Sequence, residues 1–375
     1  MEPEAALGLV KHGATLLLVD VPQNTLIGID TKMFSSGPYF KGVKMIPPGV
    51  HFIYYSSSNR EGNEFSPIVG FFVDASPSEV IVKKWDSKDE RFVKLSEEEE
   101  ERYAQAVKKL EFDRQLGPYA LDQYGDWKRL SNFITKSTIE SIEPIGGEIT
   151  IISESEMVEN LHKTAMEKVL AEQLQSSKFS KPDKKSPGND CYYTPIPRVM
   201  KLKGAAGQDL TNMNLDKTHI LETILTKQYG GSEDSLLGEL QFAFVAFLMG
   251  QSLEAFLQWK HLVSLLLGCT EAPLHKRTQL FTKFIKAIYY QLKIGFQKDS
   301  KDTSRAEKGA TTLLDESLLS ADNFMRHLCK TRKLRELLEQ TLGWNFQLNS
   351  AVDGMHLEED DEFAPVVEIL DDPDH

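Results

Sequence analysis

Cysteine and histidine are the residues best suited to bind a metal or attack an electrophile, and their spacing here points to neither. Cys191, Cys269 and Cys329 lie far apart and form no CxxC or Cys/His pair at metal-ligand spacing. Neither a zinc site nor a disulfide framework is therefore indicated, and a reducing compartment fits best. The nine histidines are scattered. His51 falls within an alternating run, where a packed or surface imidazole is a simpler reading than a ligand. The sequence contains no GxSxG, HExxH, Walker A or GxGxxG pattern, which removes the common nucleophile elbows, zincins and phosphate cradles. The expected assignment is no catalytic, cofactor or metal-binding residue.

What remains is the chemistry of the main chain. Close to the carboxy terminus, Phe363, Pro365, Val366, Val367, Glu368, Ile369 and Leu370 form a β-prone island among acidic residues. As a strand it places Val366, Glu368 and Leu370 on one side and Val367 and Ile369 on the other. So short an island has no core of its own to enter, so it offers its backbone to a partner's sheet edge. These seven residues are the expected partner-binding site.

Charge is distributed in the same sense. The formal net charge is −13, and twelve acids but no lysine or arginine follow Arg335, which leaves 44 acids against 43 bases in the first 335 residues. The body is neutral and the tail acidic. A nucleic-acid-binding surface needs lysine and arginine gathered on one face, and the folded segments show no such gathering, so no sequence-specific nucleic-acid binding is expected. Lys178, Lys181, Lys184 and Lys185 resemble a weak nuclear-import patch, although a solvated linker is the simpler reading. No basic stretch followed by an apolar core opens the chain, so no secretory signal is expected and the cytoplasm and nucleus are the expected locations.

These residues are positioned by elements organised around residues 237–268, the most apolar run in the chain. The run divides into two helices. The first should be buried nearly all round, leaving Gly238, Glu239 and Gln241 for water. Gly250, Gln251 and Ser252 interrupt the pattern, with glycine suited to a left-handed cap and serine to capping the next helix. The second helix sets Leu253, Phe256, Leu257 and Val263 on an apolar stripe, with Glu254, Gln258, Lys260 and His261 as its polar edge. A membrane span is excluded because Glu239, Gln251, Glu254 and Lys260 interrupt the run.

The class expected is α+β, with an antiparallel β-rich amino-terminal domain followed by an all-helical domain and an acidic tail. Residues 1–174 form the first with appended helices, 175–211 a flexible linker, 212–348 the helical domain and 349–375 the tail. The early strands include ATLLLVDVP, LIGID, the run through Tyr55, PIVGFFVDA, EVIVKKWD and RFVKL. At Ser96 the period changes, and a glutamate three residues later marks a capping box. A further helix is interrupted near Ser131, with Asn132 or Thr135 as the next cap. Later helices are expected around DKTHILETILTKQY, HKRTQLFTKFIKAIYYQLKIGF and residues 313–342, with 297–310 as a polar connection.

Two stretches carry a family resemblance. GPYFKGVKMIPPGVHFIYYSS at 37–57, preceded by GATLLLVDVPQNTLIGID, and LGELQFAFVAFLMGQSLEAFLQWKHLVSLL at 237–266 are similar to the A-one cistron-splicing factor family, or AAR-two. LGPYALDQYGDWKRLSNFI at 116–134 is a weaker echo. The resemblance implies a non-catalytic assembly factor of the U5 snRNP that binds the largest U5 protein, pre-mRNA-processing factor eight, through its RNase-H-like and Jab/MPN-like domains. It also implies hindrance of premature helicase docking, a tail that adds a strand between those two domains, and release by phosphorylation at a site it does not locate. Rival readings are a helical-repeat adaptor of another pathway and an enzyme with an unrecognised site in the β-domain.

Overall fold

The computed structural model describes residues 3–59, 64–150, 190–197, 216–269, 271–272 and 276–295. Helix α1 spans Pro3–His12 and precedes strands β1 (Ala14–Val19), β2 (Leu26–Ile29), β3 (Lys32–Ser35), β4 (Gly42–Ile46) and β5 (Gly49–Ser56). Strands β6 (Val69–Ala75), β7 (Val80–Asp86) and β8 (Arg91–Val93) follow, then α2 (Glu97–Lys108), β9 (Leu116–Pro118), α3 (Tyr124–Ser131), α4 (Lys136–Ile142) and β10 (Ile149–Thr150). The carboxy-terminal helices are α5 (Thr218–Gln228), α6 (Glu233–Leu248), α7 (Leu253–Leu267) and α8 (Thr278–Gly295). The α+β class read from the sequence holds, with a β-rich amino-terminal half and a helical carboxy-terminal half. The expected 313–342 helix, the 297–310 connection and the acidic tail lie outside the described residues.

The strands make two five-stranded sheets, ordered β8-β7-β1-β4-β9 and β10-β6-β5-β2-β3. The second is antiparallel throughout. In the first, β1 lies parallel to β7 and β4 parallel to β9, so the antiparallel expectation meets two exceptions. For β1–β7 the cause is topological: β6 and β7 are separated by only a short turn but enter different sheets, so β7 returns beside β1 instead of folding onto β6.

The alternation of β1 explains the layering. Leu16 and Leu18 enter the core shared with Ile27, Ile29, Ile53, Tyr55 and Phe71 of the second sheet. Leu17 and Val19 face the other way, toward Val82 and Val107 of α2. One face of the first sheet therefore meets the second sheet and the other is closed by a helix. Gly42, at φ 139°, lets β4 come so close to β1 that an added Cβ would collide with the Leu16 carbonyl oxygen.

Three short signals start helices as expected. Ser96 Oγ accepts from the Glu99 amide and caps α2, while its hydroxyl meets the Glu99 carboxylate at 3.3 Å. Thr135, rather than Asn132, caps α4 in a reciprocal box with Thr138. Ser252 caps α7 by accepting from the Ala255 amide at 3.0 Å. The left-handed residue between α6 and α7 is Gln251, φ 56°, and not Gly250. Gly250 is required for space, because a Cβ there would lie 2.6 Å from the Ala246 carbonyl oxygen and 3.2 Å from the Phe52 ring.

Every residue of α6 from Leu236 to Phe247 is buried, including Gly238, Glu239 and Gln241, which the sequence pattern had assigned to water. Helix α6 is enclosed by α3, α4, α7 and α8, and Phe242 stacks on Phe72 of β6 at 4.4 Å between centroids. The helical half and the β-rich half thus share one core. Among the described residues, no helix is long and apolar enough to cross a membrane.

Candidate functional site: buried polar seats and an exposed strap

The described chemistry begins with a closed ion pair in the β-rich half. Asp30 ends β2 at φ 55°, and its Oδ1 accepts the Phe52 amide at 2.9 Å. Its Oδ2 accepts the Tyr119 hydroxyl and meets His51 Nδ1 at 2.7 Å, while His51 Nε2 donates to the Pro47 carbonyl at 2.6 Å. A carbonyl only accepts and a carboxylate accepts as an anion, so both ring nitrogens are placed as donors. Burial pulls the imidazolium down, but the charge and hydrogen bond of Asp30, with the Pro47 carbonyl and Asp74, outweigh it and raise the His51 pKa above 6.5. Asp30 and His51 are each 1% exposed. The pair ties the β2 turn to β5 and to Tyr119, with Trp127 stacked on the imidazole, and solvent has no approach to it. His51 is thus a packed histidine, one of the two placements the sequence allowed. Among the described residues, no group of three or more His, Cys, Asp and Glu could hold a metal ion.

A second polar centre holds a strap of chain, residues 190–197, which is neither helix nor strand and falls inside the stretch expected as a linker. Glu239 of α6 accepts the Thr194 amide at 2.9 Å and the Thr194 hydroxyl at 2.8 Å. It also accepts the Tyr229 hydroxyl at 2.8 Å and Gln258 Nε2 at 2.7 Å. Gln258 donates in turn to the Thr194 carbonyl at 2.9 Å and is buried, correcting its place on a solvated edge. Glu254 accepts the Cys191 amide at 3.3 Å, and burial, with Asp190 nearby and the Cys191 amide opposing, pushes its pKa up to about 7. The Tyr192 amide donates to the Ile142 carbonyl at 2.8 Å, so the strap crosses from α4 over α6 and α7.

Gln241 performs the same task for the α3–α4 turn. Its Oε1 accepts the Phe133 amide at 2.7 Å, and its Nε2 donates to the Arg129 carbonyl and to Asn132 Oδ1. Gly238 leaves room for the Phe133 carbonyl, which would lie 2.6 Å from a Cβ. Arg277 joins α5 to the start of α6 through both carboxylate oxygens of Glu222, at 2.9 and 2.8 Å, and Glu233 at 3.0 Å. The Arg277 hydrogen bond holds the Glu222 carboxyl below its usual range.

These buried and half-buried groups satisfy one another, so the arrangement holds loops in place, and contact with other molecules falls to the surface. Tyr39 is 76% exposed, Ile145 79% and Tyr192 56%. A groove of about 400 Å³ lies between Pro195, Ile196 and Pro197 of the strap and Thr223, Ile224, Lys227 and Gln228 of α5. Phe363, Pro365, Val366, Val367, Glu368, Ile369 and Leu370, the residues assigned to partner binding, lie outside the described residues. Sequence reading missed the roles of Glu239 and Gln241. Their spacing carried a signal: residues two apart on a helix lie roughly 200° apart, so both cannot face one narrow strip of water.

The two halves match separate family profiles. The AAR2 N-terminal domain matches residues 12–144, and the AAR2 C-terminal repeat region matches 193–347, beginning within the strap. The Protein AAR2 homolog of Homo sapiens is 35% identical over 305 residues, 78% of each chain. The chain belongs to the AAR2 family. The Caenorhabditis elegans Protein AAR2 homolog is 31% identical over 367 residues, covering 92% of this chain and 98% of that one. The relative in Saccharomyces cerevisiae, named A1 cistron-splicing factor AAR2, is 22% identical over 291 residues, 74% of this chain and 76% of its own. The resemblance read at residues 37–57 and 237–266 is borne out, and the name of the yeast relative is that of a splicing factor.

Proposed function

We propose that this chain is a non-catalytic assembly factor in pre-mRNA splicing, acting in the cytoplasm and nucleus on the largest U5 snRNP protein, pre-mRNA-processing factor eight. It binds the RNase-H-like and Jab/MPN-like domains of that protein during U5 maturation and hinders premature docking of the helicase. The observation that carries this reading is the AAR2 match across both halves of the chain, together with the splicing-factor name of the yeast relative. The buried seats fit such a role, since they fix a rigid body and leave apolar groups such as Tyr39, Ile145 and Tyr192 outside. The tail island at 363–370 supplies a strand, with backbone hydrogen bonds giving affinity and Val366, Val367 and Ile369 giving specificity.

Depleting the protein from cells tests this reading. Unspliced pre-mRNA should accumulate, the mature U5 particle should fall, and the full-length chain should restore both. Normal splicing and normal U5 levels after complete depletion would overturn it.

A further inference from the structure

We propose that the corner where α2 runs toward β9 is a docking surface for an acidic segment of a protein partner that also carries an apolar side chain. Helix α2 ends at Lys108 and Lys109, and the chain then passes through Leu110, Glu111 and Phe112 into a single helical turn, Asp113–Gln115, that carries Arg114. Strand β4 and the residue before it bring two more cations to the same place. The Lys41 amide donates to the Gln115 carbonyl at 2.9 Å and its ammonium lies 5.3 Å from the centre of the Phe112 ring, while Lys44 Nζ closes on Asp113 at 2.6 Å. Lys108, Lys109 and Arg114 are exposed and Lys41 is half-buried, and none of these four makes an ion pair with a described residue. With Asp113 taken up by Lys44, Glu111 is the acid left in the stretch, so four cations against one acid leave three positive charges in excess. The helix dipole accounts for cations at the end of α2 but not for Lys41 and Arg114, which lie off that helix. The acids of α2 crowd its first turn, Glu97 to Glu100, roughly 15 Å away along the axis.

Leu110 decides what kind of anion fits this corner. It stands at φ 62°, in the left-handed conformation that closes the helix end, with its amide on the Val107 carbonyl at 2.9 Å and the Glu111 amide on the Ala106 carbonyl at 3.1 Å. Glycine takes that conformation without steric cost, and leucine does not. The leucine side chain is also 70% exposed, so the free chain gains little burial in return. A phosphate backbone would meet the cations and leave Leu110 in water, whereas an acidic peptide with an aliphatic or aromatic side chain covers both. The surface is separate from the strand donated by the tail, and its test is independent of binding to processing factor eight.

The experiment is a selection of displayed random-sequence peptides on the full chain, run in parallel on a variant carrying Lys109→Glu and Arg114→Glu. Both positions are exposed, so the variant should keep the wild-type melting temperature. Peptides enriched on the wild type and lost on the variant should be rich in aspartate and glutamate, with at least one leucine, isoleucine or phenylalanine. Their affinity, read by fluorescence anisotropy, should fall as salt is raised. Leu110→Gly should weaken them by about tenfold while leaving the melting temperature unchanged or higher, which keeps the test open should the charge-reversed variant misfold. Enrichment of the same peptides on wild type and charge-reversed variant would overturn the assignment, as would selected peptides that Leu110→Gly leaves unaffected. An RNA oligomer or anionic phospholipid vesicles bound through the same cations, with no loss in Leu110→Gly, would show phosphate recognition and would likewise overturn the protein partner.

Discussion

At Asp30 and His51 the folded state contains an ion pair that each partner needs. Asp30→Ala leaves an imidazolium buried without its counter-ion and should cost about 3 to 5 kcal/mol in chemical denaturation. His51 has a raised pKa in the fold and Glu254 is pushed up to about 7, so the native state binds more protons than the unfolded chain near neutrality. Stability from both groups is therefore present at the acid end, below 4.5 for Glu254 and below 6.5 for His51, and is lost as pH rises through their folded values. Melting temperature should fall from pH 5 to pH 8, and Glu254→Gln should flatten that slope. A melting temperature rising over the same interval would contradict the assignment. Glu239 makes the third residue-scale case, since Glu239→Ala strands the Thr194, Tyr229 and Gln258 donors. It should cost about 3 kcal/mol or more, and Gln258→Ala about 1 to 3, where a surface glutamine would cost almost nothing. The sequence pattern displayed these polar residues without their partners, because Thr194 lies 45 residues from Glu239 and Asn132 lies 109 from Gln241.

The elements were legible wherever the signal is local. Serine and threonine caps at Ser96, Thr135 and Ser252 act within three residues, and the apolar periodicity of 237–268 states its own burial. Pairings between distant strands carry no such mark, which is why the parallel neighbours β1–β7 and β4–β9 emerged only in the fold. The α6–α7 turn shows the difference between composition and geometry: glycine is there for space, and glutamine takes the left-handed conformation. Gln251→Gly should leave stability unchanged or raise it by up to about 1 kcal/mol, whereas Gly250→Ala should lower the melting temperature. The reverse order would place the cap at Gly250. Phe244 is fully buried, so Phe244→Asp introduces an unpaired carboxylate costing several kcal/mol and should unfold the helical half.

For the whole molecule, one core passes through Phe72, Phe242 and Gly250, so the two family-matched halves are packed together. The strap at 190–197 is held by Glu239, Gln258 and Glu254, so the expected first site of proteolysis narrows, from composition, to the stretches on either side of it, the lysine- and proline-rich 175–189 and the lysine- and glycine-containing 198–211. After a single cut there the two pieces should co-elute as one particle, and separation without denaturant would contradict the shared core. The tail's acidic flanks, from Glu358 to Glu362 and Asp371 to Asp374, should chiefly set association rate and salt dependence. The most direct test is a calorimetric titration of the full chain, and of a chain lacking residues 355–375, into the purified RNase-H-like and Jab/MPN-like domains of processing factor eight. Saturable binding by the full chain, weakened by the deletion and by Val367→Pro by about 1 to 3 kcal/mol or more, is the predicted result. No heat of binding from the folded full-length chain, at any salt concentration, would contradict the role in U5 assembly.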